Sequence, residues 1–406
     1  MDLLRHGGMD RLFVGIHAPS TFGTFLRTFT FGHVRQLDSV AASLLTELTA
    51  QTPLLAGADQ LTWVDVDDTI RATYGYAKQG AGFGYSGVKG LNALVATVST
   101  PLSRPVICAT RLRAGKANSA RGAPRLVADA LKTTKACGAG GPAGQGLIVL
   151  RADSAFYTHD VIATARRANV RFSITARMNP AVRQAITQIA DDAWTPITYP
   201  NAVWDNEEQR LVSDAEITET PLTAFTSRRK GEQVTGRLLV RRVKRLNPIS
   251  KPKPGKTGKT GTTLTAQQQE LFEVYRYHAV FTDSPLTLVQ AENSHREHAI
   301  IEQVIADLKA GPMAHLPSGS FMANSAWLVL AAMAFNLTRA AGCLASAFHA
   351  RATTATLRAQ LINVPARLAH SARKLVLHLP QRWPWQPGWE QLWDLTMGAP
   401  PRPTTP

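Results

Sequence analysis

Cysteine is scarce: only Cys108, Cys137 and Cys343 occur, and no two of them form a Cys-x-x-Cys pair. That spacing argues against a disulfide framework and against a thiolate zinc site, and it fits reduced thiols in a cytosol. Acidic side chains are few beside basic ones, 29 against 45, which leaves a net charge of +16. Such an excess speaks to partners rather than to fold: polyanions, with nucleic acid first and an acidic membrane surface second. The opening MDLLRHGGMDRLF lacks the continuous apolar core of a signal peptide. Long hydrophobic runs are missing too. The most apolar window, Ala326 to Phe335, runs into Asn336 and Arg339 and reads as a core helix rather than a bilayer span. No internal repeat is visible. These absences together lead to the expectation of a cytoplasmic protein with no membrane partner.

What remains is an ordinary globular composition over 406 residues, enough for two or three domains or for one domain with a large insertion. A helix is expected over 37–52, strands over 61–66, 92–98 and 106–111, a helix over 120–134, and a strand ending at Asp153. A helix over 157–168, a strand over 170–175 and a helix over 180–190 follow. Three meandering strands and then strand–helix alternation imply an α/β fold with a mixed sheet flanked by helices. From Trp194 to about Asp283 the texture changes to alternating runs (195–199, 237–243, 272–281), which read as a β-rich insertion. Between Arg228 and Lys259 it carries twelve Lys or Arg against the single acid Glu232. Its PISKPKPGKTGKTG stretch (248–261) reads as a flexible loop. Helices are then expected over 293–310 and 321–345, followed by a tail with no usable periodicity. The expected divisions are therefore 1–58, 59–193, 194–285, 286–350 and 351–406.

Two glycine-rich stretches fail as nucleotide loops. GKTGKTG has Lys253 where a phosphate-binding loop needs glycine, and GAGGPAGQG has Ala143 at the third glycine position and precedes its strand. The acids are more informative. LTWVDVDDTI places Asp65, Asp67 and Asp68 in an apolar strand, and Asp153 ends another in VLRADSAFY. Residues just beyond strand ends line the ligand crevice of open sheets, and an aspartate there must cap, pair or coordinate. At helical spacing, His295, His298, Glu302 and Lys309 share one face of the 293–310 segment. That face is read in three ways: a zinc site of His295, His298 and Glu302, a solvated face with ordinary ion pairs, or a carboxylate joining the aspartates while His298 and Lys309 face phosphate.

WVDVDDT, QGAGFGYSGVKGLNALVATVSTP, VLRADSAFY and HREHAIIEQVIADLKAG together resemble the DDE transposases of bacterial insertion sequences. The branch is the insertion-sequence family numbered, in words, thirteen-eighty, and the resemblance runs over essentially the whole chain. It implies an RNase H-like core whose first and fourth strands deliver two aspartates and whose later helix delivers a glutamate, with a β-rich insertion before that helix. By motif position the triad is Asp67, with Asp65 the competitor, then Asp153 and Glu302. The implied cofactor is a pair of Mg2+ or Mn2+ ions, and the implied partners are double-stranded DNA and a second copy of the chain. DNA contacts fall to His298, Lys309 and Arg296, and, from the basic insertion, to Arg241, Arg242, Lys244 and Arg245. In the related signature Tyr and Arg stand where this chain has His295 and His298, while the Glu302-to-Lys309 spacing is kept. Chains of that branch usually carry several dozen residues before LLRHGGM, so the resemblance also implies that this one lacks that region. The expected activity is DNA cleavage and strand transfer; the alternatives are an RNase H-fold nuclease without transfer and an inactive DNA-binding remnant.

Overall fold

The computed structural model describes residues 2–74, 78–197, 204–205, 210–211, 215–244, 275–371 and 373–398. The loop expected at 248–261 therefore lies outside the described residues, as do Arg245 and the ends of the runs expected at 195–199 and 272–281.

Along the chain come α1 (Pro19–Arg27), α2 (Phe31–Gln51), β1 (Leu61–Ala72), β2 (Gly82–Phe83), β3 (Lys89–Thr100), β4 (Ser103–Ala114) and α3 (Ala123–Ala136). Then follow β5 (Leu147–Ala152), α4 (His159–Arg167), β6 (Arg171–Thr175), α5 (Pro180–Thr187), β7 (Thr195–Ile197), β8 (Trp204–Asp205), β9 (Arg210–Leu211), β10 (Ala215–Ala224), β11 (Val234–Lys244) and β12 (Tyr275–Thr282). The chain closes with α6 (Leu288–Arg296), α7 (Ile300–Ala310), α8 (Phe321–Ala345), α9 (Ala347–Arg351), α10 (Thr354–Leu357), β13 (Arg367–Ser371), β14 (Lys374–His378) and α11 (Gln386–Met397). The fold is α/β: a mixed sheet of ten strands, β1–β7 and β10–β12, is flanked by helices. This is the architecture expected of an RNase H-like core. Two compact units divide the chain, Met1–Ile148 with Ala299–Pro406, and Val149–His298.

In the first unit β3 lies between β1 and β4, both antiparallel to it. The β3 segment is buried along nearly its whole length, as expected of a strand covered on both faces. Directly opposed residues share a face, so the β1–β3 register sets Asp67 beside Val95 and Asp68 beside Leu94, on opposite faces. On the Val95 face, Leu91, Ala93 and Val95 pack with Val304 and Leu308 of α7 and with Leu328, Ala332 and Phe335 of α8. Each fully buried aliphatic side chain in such a cluster contributes about 1.5–3 kcal/mol. On the other face α3 packs on β3 and β4. Arg111 of β4 there pairs with Asp129 of α3 at 2.8 Å.

The glycines of QGAGFGYSGVKG let backbones approach closely. A Cβ on Gly115 would collide with the carbonyl oxygens of Gly82 and Gly90. Helix α8, though long and apolar enough to cross a membrane, buries Asn324, Asn336 and Arg339 in protein. Asn336 donates to the Ile107 carbonyl and accepts from the Ile107 amide, both at 2.8 Å, which fastens α8 to β4. It is a core helix, longer than its ten-residue apolar window suggests.

In the second unit β5 and β6 are parallel, and β12, β11, β10 and β7 follow β6 in antiparallel order. The insertion strands β10–β12 thus continue the β6 edge instead of forming a sheet of their own. Helix α6 starts with a capping box in which the Gln290 side chain accepts from the Thr287 amide at 3.2 Å. Its Ala291 packs on Leu239 and Val280.

Two expectations need correction. The helix expected over 293–310 is two α-helices separated by a 3-10 turn at Glu297–Ala299. The tail, in turn, contains the β13–β14 hairpin and α11. Trp389 and Trp393, four residues apart, stack at 5.3 Å on that helix.

Candidate catalytic carboxylates and their surroundings

The three aspartates of β1 have three different environments. Asp68 is held in place: Arg113 donates to its Oδ2 at 2.5 Å, Asn92 at 2.7 Å, and Ser119 donates to Oδ1 at 3.2 Å. Arg113 is itself buried, 7% exposed, and also donates to the carbonyls of Asn118, Ser119 and Arg121. Burial pulls the Arg113 guanidinium below its ordinary pKa, and the Asp68 charge opposes that shift. Asp68 is therefore a structural acid. Asp65 is fully buried opposite Thr97. Asp67 is half-buried, and its Oδ1 accepts from the Asp68 amide at 2.7 Å. Alternation along the strand puts Asp65 and Asp67 on the α7 face.

Glu302 lies in the first turn of α7, exposed, while Ile301, Val304, Ile305 and Leu308 are its buried stripe. Its carboxylate has no hydrogen-bond or ion-pair partner among the described residues. Lys309, half-buried in the last turn, follows seven residues later, nearly two turns, and so points to the same side of α7 about 10 Å along the axis. The first unit thus brings Asp67, Glu302 and Lys309 to one side of its sheet.

In the second unit, Asp153 follows β5 and is exposed. Its Oδ1 accepts from the Ala155 amide at 3.0 Å, capping a 3-10 turn over Ser154–Phe156. His295 docks α6 onto β6: its Nδ1 meets the Ser173 hydroxyl at 3.0 Å and its Nε2 the Thr175 hydroxyl at 2.9 Å. With both ring nitrogens engaged this way, the imidazole is tied into the α6–β6 contact. His298 is half-buried and stacks on His295 with ring centroids 6.4 Å apart.

Arg296 donates to Glu292 at 3.0 Å and to Asn293, and Arg241 donates to Glu292 at 3.3 Å. Glu292, 5% exposed, is thus a buried carboxylate between two arginines. These groups help line a cavity of about 120 Å³ with His278 and Thr175. Burial, with Arg241 and Arg276 adding to it, pulls the His278 pKa down to about 4, so the imidazole is neutral at neutral pH. Glu292 played no part in the sequence reading, although its i,i+4 spacing to Arg296 was there to be read. Nothing in the sequence pointed to the Asp68–Arg113–Asn92 network, whose members are brought together only by strand register.

Arg242 faces the other side of the sheet. It donates to Glu216 at 2.6 Å and lies 4.1 Å over Trp194 and 4.7 Å over Tyr275. The Lys244 side chain and Arg245 lie outside what is described.

Among the described residues no group of three or more His, Cys, Asp or Glu forms a ready cation cluster. In kind, the half-buried Asp67 and the exposed Asp153 and Glu302 offer hard carboxylate oxygens suited to Mg2+ or Mn2+.

Compared with known families, the chain matches the model described as "Transposase DDE domain group 1" over residues 12–239 and 263–396. The gap in that match, 240–262, covers the whole of the Lys/Pro/Gly-rich stretch at 248–261. No curated protein matches the chain. With most of its length matched, on an α/β mixed-sheet fold, the chain belongs to the DDE transposase domain family, group 1.

Proposed function

We propose that this DDE transposase cuts and joins the ends of a bacterial insertion sequence of the thirteen-eighty branch, by hydrolysis and then strand transfer. Asp67, Asp153 and Glu302 are the proposed ligands of two Mg2+ or Mn2+ ions. When bound, such ions supply an activated attacking oxygen and a stabilised leaving oxygen. The observation that carries the reading is the sorting of acids within the first unit. Asp68 is neutralised by Arg113, whereas Asp67 shares the α7 side of the sheet with Glu302, which has no counter-cation among the described residues.

The residues around these acids have supporting parts. Asp68 and its network hold β1 in register so that Asp67 keeps its face. Lys309, on the Glu302 side of α7, offers a point charge to substrate phosphate. The basic insertion adds sequence-independent attraction for DNA, which positions the duplex without reading it. Two ends are processed together, so the proposed working state on DNA is a dimer.

The test is product analysis on a duplex carrying the element end. Wild-type protein with Mg2+ is expected to release a 3′-hydroxyl and to yield joined product. Asp67→Asn, Asp153→Asn and Glu302→Gln should each reduce both to background. Free ends without joined product would replace the proposal with a nuclease. Salt-sensitive binding without cleavage, unchanged by Asp153→Asn, would replace it with an inert DNA-binding protein.

A further inference from the structure

The β10–β11 hairpin ends in a turn whose sequence, FTSRRKGEQ (225–233), carries three consecutive cations. Phe225 stands at φ +61°, in the left-handed region where a bulky side chain is an outlier. Its half-buried ring lies 5.4 Å from Tyr157 and 5.7 Å from His159, edge-on to the latter. Tyr157 and His159 belong to the stretch that runs from Asp153 through its 3-10 turn into α4. Phe225 thus docks the hairpin onto the segment that follows Asp153.

The turn is also closed internally. The Gln233 side-chain Nε2 donates to the Thr226 and Arg228 carbonyls at 3.2 and 3.1 Å, and the Arg228 backbone amide donates to the Phe225 carbonyl at 2.9 Å. Arg228, Arg229 and Lys230 are all exposed on it. Arg228 reaches Asp160 at 3.5 Å and Glu232 at 3.6 Å, whereas Arg229 and Lys230 have no ion-pair partner among the described residues. Other cations of the insertion are engaged inside the fold. Arg237 holds Glu219 and the carbonyls of Ser284 and Leu286, Arg241 holds Glu292, and Arg242 holds Glu216.

A strained turn fixed beside the Asp153 segment, and presenting in Arg229 and Lys230 two cations that no described carboxylate neutralises, has a use in substrate contact. We infer that the 228–230 tip grips the phosphate backbone of duplex DNA next to Asp153, and that Phe225 is the positioning residue that seats it. This inference rests on the DNA reading above. It moves the main phosphate contacts from Arg241 and Arg242 to Arg229 and Lys230.

The experiment is duplex binding by the full chain across a salt series, for wild type, for Arg229→Ala with Lys230→Ala, and for Phe225→Ala. The double variant is expected to fold as wild type by circular dichroism. It should bind more weakly and lower the slope of log affinity against log salt by about two, one for each phosphate no longer neutralised. Phe225→Ala keeps every cation and should weaken binding while lowering the slope less than the double variant does. A double variant with wild-type affinity and slope overturns the tip assignment and leaves the DNA reading standing. Wild-type protein that shows no salt-dependent binding overturns both.

Discussion

Neighbouring aspartates of β1 differ in what surrounds them, and that difference separates structure from chemistry. From sequence alone Asp65 and Asp67 compete, because they share one face of the strand and its alternation does not show how deeply each is buried. In the fold Asp65 is fully buried and Asp67 is half-buried, so Asp67 is the more exposed of the two. Asp68 neutralises the buried Arg113. Truncating one partner of a buried pair leaves the other charge uncompensated, so Asp68→Ala is expected to cost about 3–5 kcal/mol in chemical denaturation. Asp67→Asn keeps an oxygen that can accept from the Asp68 amide and should lower the denaturation midpoint less than Asp68→Ala does. Equal losses from the two variants would show that this sorting of the acids is wrong. The proposed reassignment of DNA contacts also belongs to single residues. Charge runs in a sequence do not reveal which cations already hold a carboxylate, as Arg241 and Arg242 do.

Among the helices and strands, most of the core was legible because its strands are apolar runs bounded by turn residues. The helices over 123–136, 159–167 and 180–187 start within three residues of the expected positions and end within three. The strand over 215–224 was not singled out, since AEITETPLTA is polar on its exposed positions and contains Pro221. The tail helix was hidden because Pro384 and Pro387 obscure the Trp389–Trp393 spacing. The break between α6 and α7 was invisible for a different reason. Periodicity over 293–310 stays helical through the 3-10 turn at Glu297–Ala299, which no residue type there marks. His295 docks α6 on β6 through Ser173 and Thr175. His295→Phe is therefore expected to leave two hydroxyls without their partner and to lower stability by about 1–3 kcal/mol, read as a shifted denaturation midpoint. An unchanged midpoint would mean that His295 does not hold α6.

For the chain taken entire, the net charge of +16 and membership of the DDE transposase family point the same way, toward DNA. Charge alone could not have distinguished nucleic acid from an acidic membrane. Binding and chemistry are separated by whether the proposed acids hold metal ions. Joint coordination of divalent ions by Asp67, Asp153 and Glu302 is what the proposed chemistry stands on, and Mn2+ binding followed by electron paramagnetic resonance reads it without relying on turnover. In the presence of duplex DNA, wild-type protein is expected to take up two ions. Asp67→Asn, Asp153→Asn and Glu302→Gln should each lose at least one of them while remaining folded by circular dichroism. Three folded variants that bind Mn2+ as wild type does would refute joint coordination.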